Sequence, residues 1–345
     1  MSFSVGIVGL PNVGKSTLFK ALTRKEVEIA PRPFTTIHPN HGIVAVPDER
    51  LNKIAEIIKP EKVTPTVIEF VDIAGLVKNA WQGEGLGNQF LAQIRYCDAI
   101  CEVVRVFKNE KIEHIEGRPD PKKDIEIVKT ELLMKDLETL EKAISKLEKK
   151  TEKEKKKKLE ILKKIKEAVA KEKKVDEIEL TKEEKEQIKD FQFLTAKPII
   201  YIFNIGSENV TAEIQPQTKF SLKLNLKLEE EFTELSDEEI KELKIASYLP
   251  ALILSCYQAL NLITFYTIAG GQEVRAWTLK RGLAAPEAGG VLHSDFQEKF
   301  IKAEVINWKK LVENESWKNA REKGLLKIVG KDYLVQDGDV IEFKI

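Results

Sequence analysis

The sequence has little cysteine, no surplus of either charge and no long apolar run. Its three cysteines, Cys97, Cys101 and Cys256, are an odd, sparse set in 345 residues. That excludes a disulfide framework and predicts reduced thiols in a cytosolic (cytoplasmic) setting. No second Cys or His pair joins Cys97 and Cys101, so buried apolar thiols are expected there rather than a zinc site. Lys plus Arg number 56 and Asp plus Glu number 56. The balance argues against a chain that coats nucleic acid by charge alone and leaves a local basic patch open. No apolar stretch is long enough for a membrane span, so no membrane partner is expected. Met1 to Leu10 is apolar, lacks a basic leader and runs into Pro11, Asn12 and Gly14. It reads as a buried first strand, not a signal peptide.

What is present suits two or three domains with an ordinary core, since 42% of residues are apolar. Short apolar runs at Val5 to Val8, Val67 to Val71, Asp98 to Phe107 and Pro198 to Phe203 predict strands. Helical segments between them point to an α/β fold with a mainly parallel sheet covered on both faces. Between Asp124 and Asp190 there is no Gly and no Pro. Leu133, Leu137, Leu140, Ile144 and Leu147 are spaced four, three, four, three, a heptad seam. The polar tract Glu148 to Lys158 follows, then Leu159, Leu162, Ile165 and Val169. Two long helices folded into an antiparallel hairpin are expected, with the lysines near the tip as a solvated turn or a basic contact surface. Gly and Pro return near the end, where DYLVQDGDVIEFKI predicts strand, Asp-Gly turn, strand. In that region Arg275, Lys280 and Arg281 offer cations for RNA, and Trp277 is either an exposed stacking residue or part of the core.

Gly9 to Thr17 reads GLPNVGKST, the G-x-x-x-x-G-K-[ST] phosphate loop. Its glycines let backbone N–H groups point at phosphate oxygens, Lys15 reaches the β- and γ-phosphates, and Ser16 offers a hydroxyl to Mg²⁺. Asn12, Val13, Gly14, Lys15, Ser16 and Thr17 are the candidate nucleotide-binding run. Asp72 and Gly75 fit D-x-x-G at the end of the second strand. Asp72 would hold the Mg²⁺ water shell and the Gly75 N–H would bond the γ-phosphate. Thr35 and Thr36 lie between these motifs, and either could supply a second Mg²⁺ hydroxyl. Asn204 ends the PIIYIF strand where switch GTPases carry N-K-x-D, but here Ile205, Gly206, Ser207 and Glu208 follow. The missing aspartate removes the usual acceptor for guanine. Leu76 occupies the position of a water-orienting glutamine and cannot hydrogen-bond water. Two substitutes are available. Asn12 could help bind a monovalent cation such as K⁺, or His114, in a polar loop, could position water.

GLPNVGKST, PFTTIHPN, FVDIAGLVKNAWQGEGLGNQFL, the His114 loop ending in DPKKDI, and GGQEVRAWT…APEAGGVLHSDF…KDYLVQDGDV together resemble the YchF/Obg-like ATPase family. The likeness covers nearly the whole chain. It implies a P-loop NTPase domain at 1–123 and 195–262, a coiled-coil arm at 124–194, and a TGS-like β-grasp domain at 263–345. It further implies hydrolysis of ATP in preference to GTP, association with the ribosome and its RNA, Leu76 in place of the glutamine, His114 in hydrolysis, and Thr36 as the switch threonine. The family's base motif is usually N-x-x-E. Here Glu208 falls one residue late, and Asn225 stands at the serine of a later base loop. His38 stands where the family usually has an acid.

Overall fold

The computed structural model describes residues 3–23, 40–73, 86–148, 153–206, 219–243 and 246–345. The first sheet contains β1 (Phe3–Val8), β2 (His41–Ala45), β4 (Val67–Asp72), β5 (Ala99–Arg105), β6 (Ile199–Asn204) and β7 (Ser221–Leu224). Their order is β2-β4-β1-β5-β6-β7, parallel throughout except for the antiparallel edge strand β2. Every residue of β5 and β6 is buried. Covering both faces of the sheet explains why these segments are mostly apolar with no alternation, Glu102 and Arg105 in β5 and Asn204 in β6 being buried exceptions. Helix α1 (Lys15–Thr23) follows β1 directly, so the phosphate loop lies at the carboxyl edge of the sheet. Asp72 and Asn204 end β4 and β6 on that same edge. In open parallel sheets this is the edge where ligands bind.

Two elements within 1–123 lie against the C-terminal sheet. Helix α2 (Glu49–Ile58) places Leu51 and Ile54 in a cluster with Tyr266, Val274 and Val340. Strand β3 (Lys62–Thr64) pairs in parallel with β9 (Glu273–Lys280). Helix α3 (Leu86–Tyr96) leads into β5.

The heptad seam forms the expected hairpin from α4 (Pro121–Glu148) and α5 (Lys153–Val169). Leu133, Leu140 and Ile144 pack with Leu162, Ile165 and Val169 in its core. At 1.5 Å per residue, α4 is about 42 Å long. The second helix ends at Val169, the last residue of the second apolar run. A short turn at Val175–Glu177 and α6 (Lys182–Ile188), capped by Thr181, fold the chain back. The root of the arm is fixed by Asp136, whose carboxylate accepts from the N–H groups of Leu194 and Thr195 at 2.7 and 2.8 Å.

After β7 come α7 (Leu226–Phe232), α8 (Asp237–Leu243) and α9 (Leu249–Ala259). The C-terminal part has β8 (Leu262–Ala269) and β9 as a hairpin, then α10 (Ala285–Leu292), β10 (Lys302–Asn307), β11 (Lys327–Val329) and β12 (Asp339–Lys344). The order β11-β10-β12-β8-β9, with β12 inserted parallel to β8, is that of a β-grasp. The expected hairpin around Asp337-Gly338 does not form. Leu334 makes only an isolated bridge with Ala284. The Asp337 carboxylate instead takes the Thr264 N–H at 2.9 Å and an Arg50 nitrogen at 2.9 Å, which turns the segment into a connector. No described helix is long and apolar enough to cross a membrane.

Candidate nucleotide-binding site

A cleft of about 820 Å³ opens at the carboxyl edge of the first sheet, lined by Asn12, Gly14, Lys15, Ser16, Thr17, Asn204 and Asn225 among others. Gly14 has φ +108°, and a Cβ there would lie 2.7 Å from the Asn204 amide nitrogen and 3.1 Å from Leu226. Glycine is therefore needed both for the turn and for the close approach.

Lys15 is 8% exposed, and its ammonium donates to the Leu10 carbonyl at 2.8 Å. Burial pushes its pKa down to about 8, partly opposed by the negative charge of Asp72. The Ser16 hydroxyl donates to Asp72 Oδ2 at 3.1 Å. Asp72 Oδ1 is buried and has no hydrogen-bond partner among the described residues. A buried carboxylate oxygen left unsatisfied beside a hydroxyl is costly unless something binds it. These two hard oxygens fit Mg²⁺, which takes one or two protein ligands and completes its shell from water and phosphate. Among the described residues no three His, Cys, Asp or Glu side chains converge on one point.

Asn204 has three backbone partners. Its amide donates to the Val13 carbonyl at 3.0 Å, and its oxygen accepts from Gly206 and Leu226 at 3.3 and 3.4 Å. It binds the phosphate loop to the following loops. Ile205 donates its N–H to the Leu224 carbonyl at 3.0 Å and does not line the cleft. Val13 is buried in the core below it. Asn225 caps α7, accepting the Leu228 N–H at 3.2 Å. Gly75, Leu76, Thr36, His38 and Glu208 lie outside the described residues.

His114 is buried, with only 2% of its side chain exposed. Its Nδ1 accepts the Glu116 N–H at 3.2 Å, and its Nε2 lies 3.1 Å from Asp124 Oδ2. The ring is held inward in the observed arrangement and does not line the cleft. Asn12 is close to the same loop: its amide donates to the Glu113 carbonyl at 3.3 Å.

Several cleft residues carry no sequence motif. Phe107, Lys108, Asn109 and Ile112 form one wall, and Lys227, Leu228 and Glu231 another. The first wall is held by Arg105, whose guanidinium donates to the carbonyls of Phe107, Asn109 and Ile112 at 3.2, 3.0 and 3.1 Å. A charged residue inside the apolar run of β5 was the available signal. Trp277 is half-buried rather than an exposed stacking residue, its indole N–H bonded to Thr267 at 2.9 Å and its ring covered by Arg275.

Residues 4–164 match a family model described as a 50S ribosome-binding GTPase, and residues 262–345 match the YchF GTPase C-terminal model, described as a protein of unknown function. A Bacillus subtilis protein named ribosome-binding ATPase YchF is 47% identical over 365 residues, covering 100% of this chain and 99% of its own length. The Haemophilus influenzae protein of that name is 45% identical, with 100% and 99% covered. The solved structure of the Schizosaccharomyces pombe YchF GTPase superposes with TM-score 0.86 at 36% identity, over 99% of this chain and 98% of that one. With the phosphate loop, its Ser16–Asp72 pair and the C-terminal β-grasp on one chain, and relatives of this similarity along its full length, the chain belongs to the YchF family.

Proposed function

We propose that this chain is an Mg²⁺-dependent, ATP-hydrolysing switch that acts at the ribosome in the cytoplasm. The observation that carries the reading is the arrangement of Lys15, Ser16 and Asp72. A desolvated ammonium stands with a hydroxyl and a carboxylate whose second oxygen is buried and unpartnered. Ser16 and Asp72, with Thr36, would hold Mg²⁺. When bound, the ion supplies charge to offset that building on the phosphoryl oxygens. Lys15 binds the β- and γ-phosphates and needs no proton transfer to act, since phosphoryl transfer is mostly positioning and electrostatics. The Gly75 N–H adds a donor to the γ-phosphate.

ATP preference is supported by the name of the bacterial relatives and by the missing N-K-x-D aspartate. Glu208 and the loop at Asn225 would then border the base. The yeast relative is called a GTPase, which favours the alternative, GTP hydrolysis on the same residues. Ribosome association rests on the bacterial relatives' names. The arm tip, with Lys155 to Lys158, and the C-terminal region, with Lys280 and Arg281, offer cations for RNA phosphates. His114 is the proposed hydrolytic group in the absence of a glutamine, and Asn12 the candidate ligand for K⁺.

Turnover and affinity for ATP and GTP, with and without ribosomes, test the proposal. ATP is expected to bind at least roughly tenfold tighter, a difference of about 1.4 kcal/mol. Tighter GTP binding, or turnover unchanged by chelating Mg²⁺, would refute it.

A further inference from the structure

We propose that Asp124 is the positioning residue that holds His114 in a retracted state, so that hydrolysis requires the imidazole to leave this carboxylate. The inference rests on reading His114 as the hydrolytic group.

Hydrogen bonding fixes the ring's tautomer. The Glu116 N–H is a donor aimed at Nδ1, so Nδ1 carries a lone pair. A neutral imidazole then has its proton on Nε2, which donates to Asp124 Oδ2 at 3.1 Å. Both nitrogens are engaged, and neither can orient a water molecule while this arrangement lasts. Only 2% of the His114 side chain and 3% of Asp124 are exposed, so solvent does not compete for the bond.

The surrounding chain allows the ring to move without unravelling the cleft. Residues 107–112 are clamped by Arg105 through three carbonyls, and Glu113 is tied to Asn12. Beyond His114 the chain is held through Glu116, whose carboxylate pairs with Lys123 in the first turn of α4, so this segment is tied to the arm and not to the cleft wall. Gly117 has φ +81°, and a Cβ added there would meet no atom within 4 Å. Its N–H bonds back to the His114 carbonyl at 2.9 Å. A rotation confined to 114–117 would release the ring and leave the cleft wall in place.

Asp124 also links the latch to the arm, since it lies in the first turn of α4. Its Oδ1 is buried without a partner among the described residues, as is Glu102 Oε1. Burial first, and then the acidic neighbours Asp124 and Glu126, push Glu102 well above the usual carboxylate range. With the ring gone, Asp124 would lose the hydrogen bond that His114 Nε2 donates to it in a site closed to solvent, which favours the closed latch. A shift of the α4 base would alter that balance, so a partner gripping the arm could set the open fraction.

The test compares Asp124→Ala, Asp124→Asn, His114→Ala and the double Ala variant in the full chain. Readouts are kcat and KM for ATP, and the rate of His114 carbethoxylation followed by peptide mass spectrometry. Losing one charge-assisted hydrogen bond should shift the closed–open equilibrium roughly tenfold. Asp124→Ala is therefore expected to raise kcat about that much with KM little changed, and to speed carbethoxylation of His114. Asp124→Asn retains an acceptor and should give smaller effects in both readouts. The double variant should be as slow as His114→Ala. If His114→Ala lowers kcat but Asp124→Ala does not raise it, the latch is wrong and the role of His114 stands. If His114→Ala changes nothing, the hydrolytic reading fails, and a His114 still protected in Asp124→Ala overturns the latch as well. Should the Ala variant not fold, a carbethoxylation rate in Asp124→Asn equal to wild type overturns it.

Discussion

At the residue scale, Lys15 shows function set against stability. Its ammonium is desolvated, with a pKa of about 8, and donates to the Leu10 carbonyl. Burying a charge this way disfavours the folded state, and only phosphate repays it. Lys15→Met is thus expected to abolish hydrolysis and weaken nucleotide binding by at least roughly tenfold, since charge-assisted hydrogen bonds contribute about 1.5–3 kcal/mol each. The melting temperature without nucleotide should not fall. Calorimetry paired with a turnover assay checks both, and undiminished turnover would remove the phosphate-loop assignment. The thiols give a second expectation. Burial pushes Cys97 up to about 11 and Cys256 up to about 12, and Cys101 well above its ordinary value. Raised values leave little thiolate at about pH 8, because each unit costs a factor of roughly ten. A colorimetric thiol reagent should find no fast-reacting cysteine in the native chain and three after unfolding. Rapid native labelling would contradict the burial.

At the element scale, legibility followed the strength of local physics. The strands under the cleft are mostly apolar because both their faces are covered, and the seam of α4 repeats every seven residues because one stripe packs on α5. Both patterns are visible in the sequence. The clamp at Arg105 was not, because it bonds backbone carbonyls, and a carbonyl carries no sequence signature. The closed setting of His114 was hidden for a similar reason: Asp124 reads as an ordinary acid in the first turn of a helix. Asn225, read as a base-loop residue, lines the cleft and also caps α7, a second role that its identity does not announce. Arg105→Met should leave the carbonyls of Phe107, Asn109 and Ile112 without this charged donor and destabilise the chain by about 1.5–3 kcal/mol. Arg105→Lys should recover little, since one ammonium cannot match the planar fork. Urea midpoints measure the loss, and proteolysis within 107–120 measures loosening of the cleft wall. A lysine variant as stable as wild type would show that charge, not the fork, holds this loop.

At the scale of the whole molecule, the C-terminal β-grasp is joined to the nucleotide-binding part through residues from the N-terminal segment. The change in composition near residue 263 marks where the last sheet begins, but gives no sign that α2 and β3 would pack on it. Nothing local in residues 49–64 signals a partner some 200 positions away. The joint centres on Asp48, which caps α2 through the Arg50 N–H at 3.0 Å and takes the Arg50 Nε at 2.8 Å. The phenol of fully buried Tyr266 donates to the same carboxylate at 2.6 Å. Arg50 continues to Asp337 at 2.9 Å, and Asp337 holds the Thr264 N–H. Asp48→Ala would leave a buried phenol and a half-buried guanidinium without their shared acceptor, at a cost of about 3 kcal/mol. Because β3 is also a strand of the second sheet, that loss should be felt on both sides of the joint. Calorimetry of the full chain is expected to show one main transition containing both sheets, lowered as a unit by the substitution. Two resolved transitions in the wild type, with Asp48→Ala shifting only one, would mean that the sheets unfold independently. The nucleotide site and the β-grasp would then have no mechanical connection through α2.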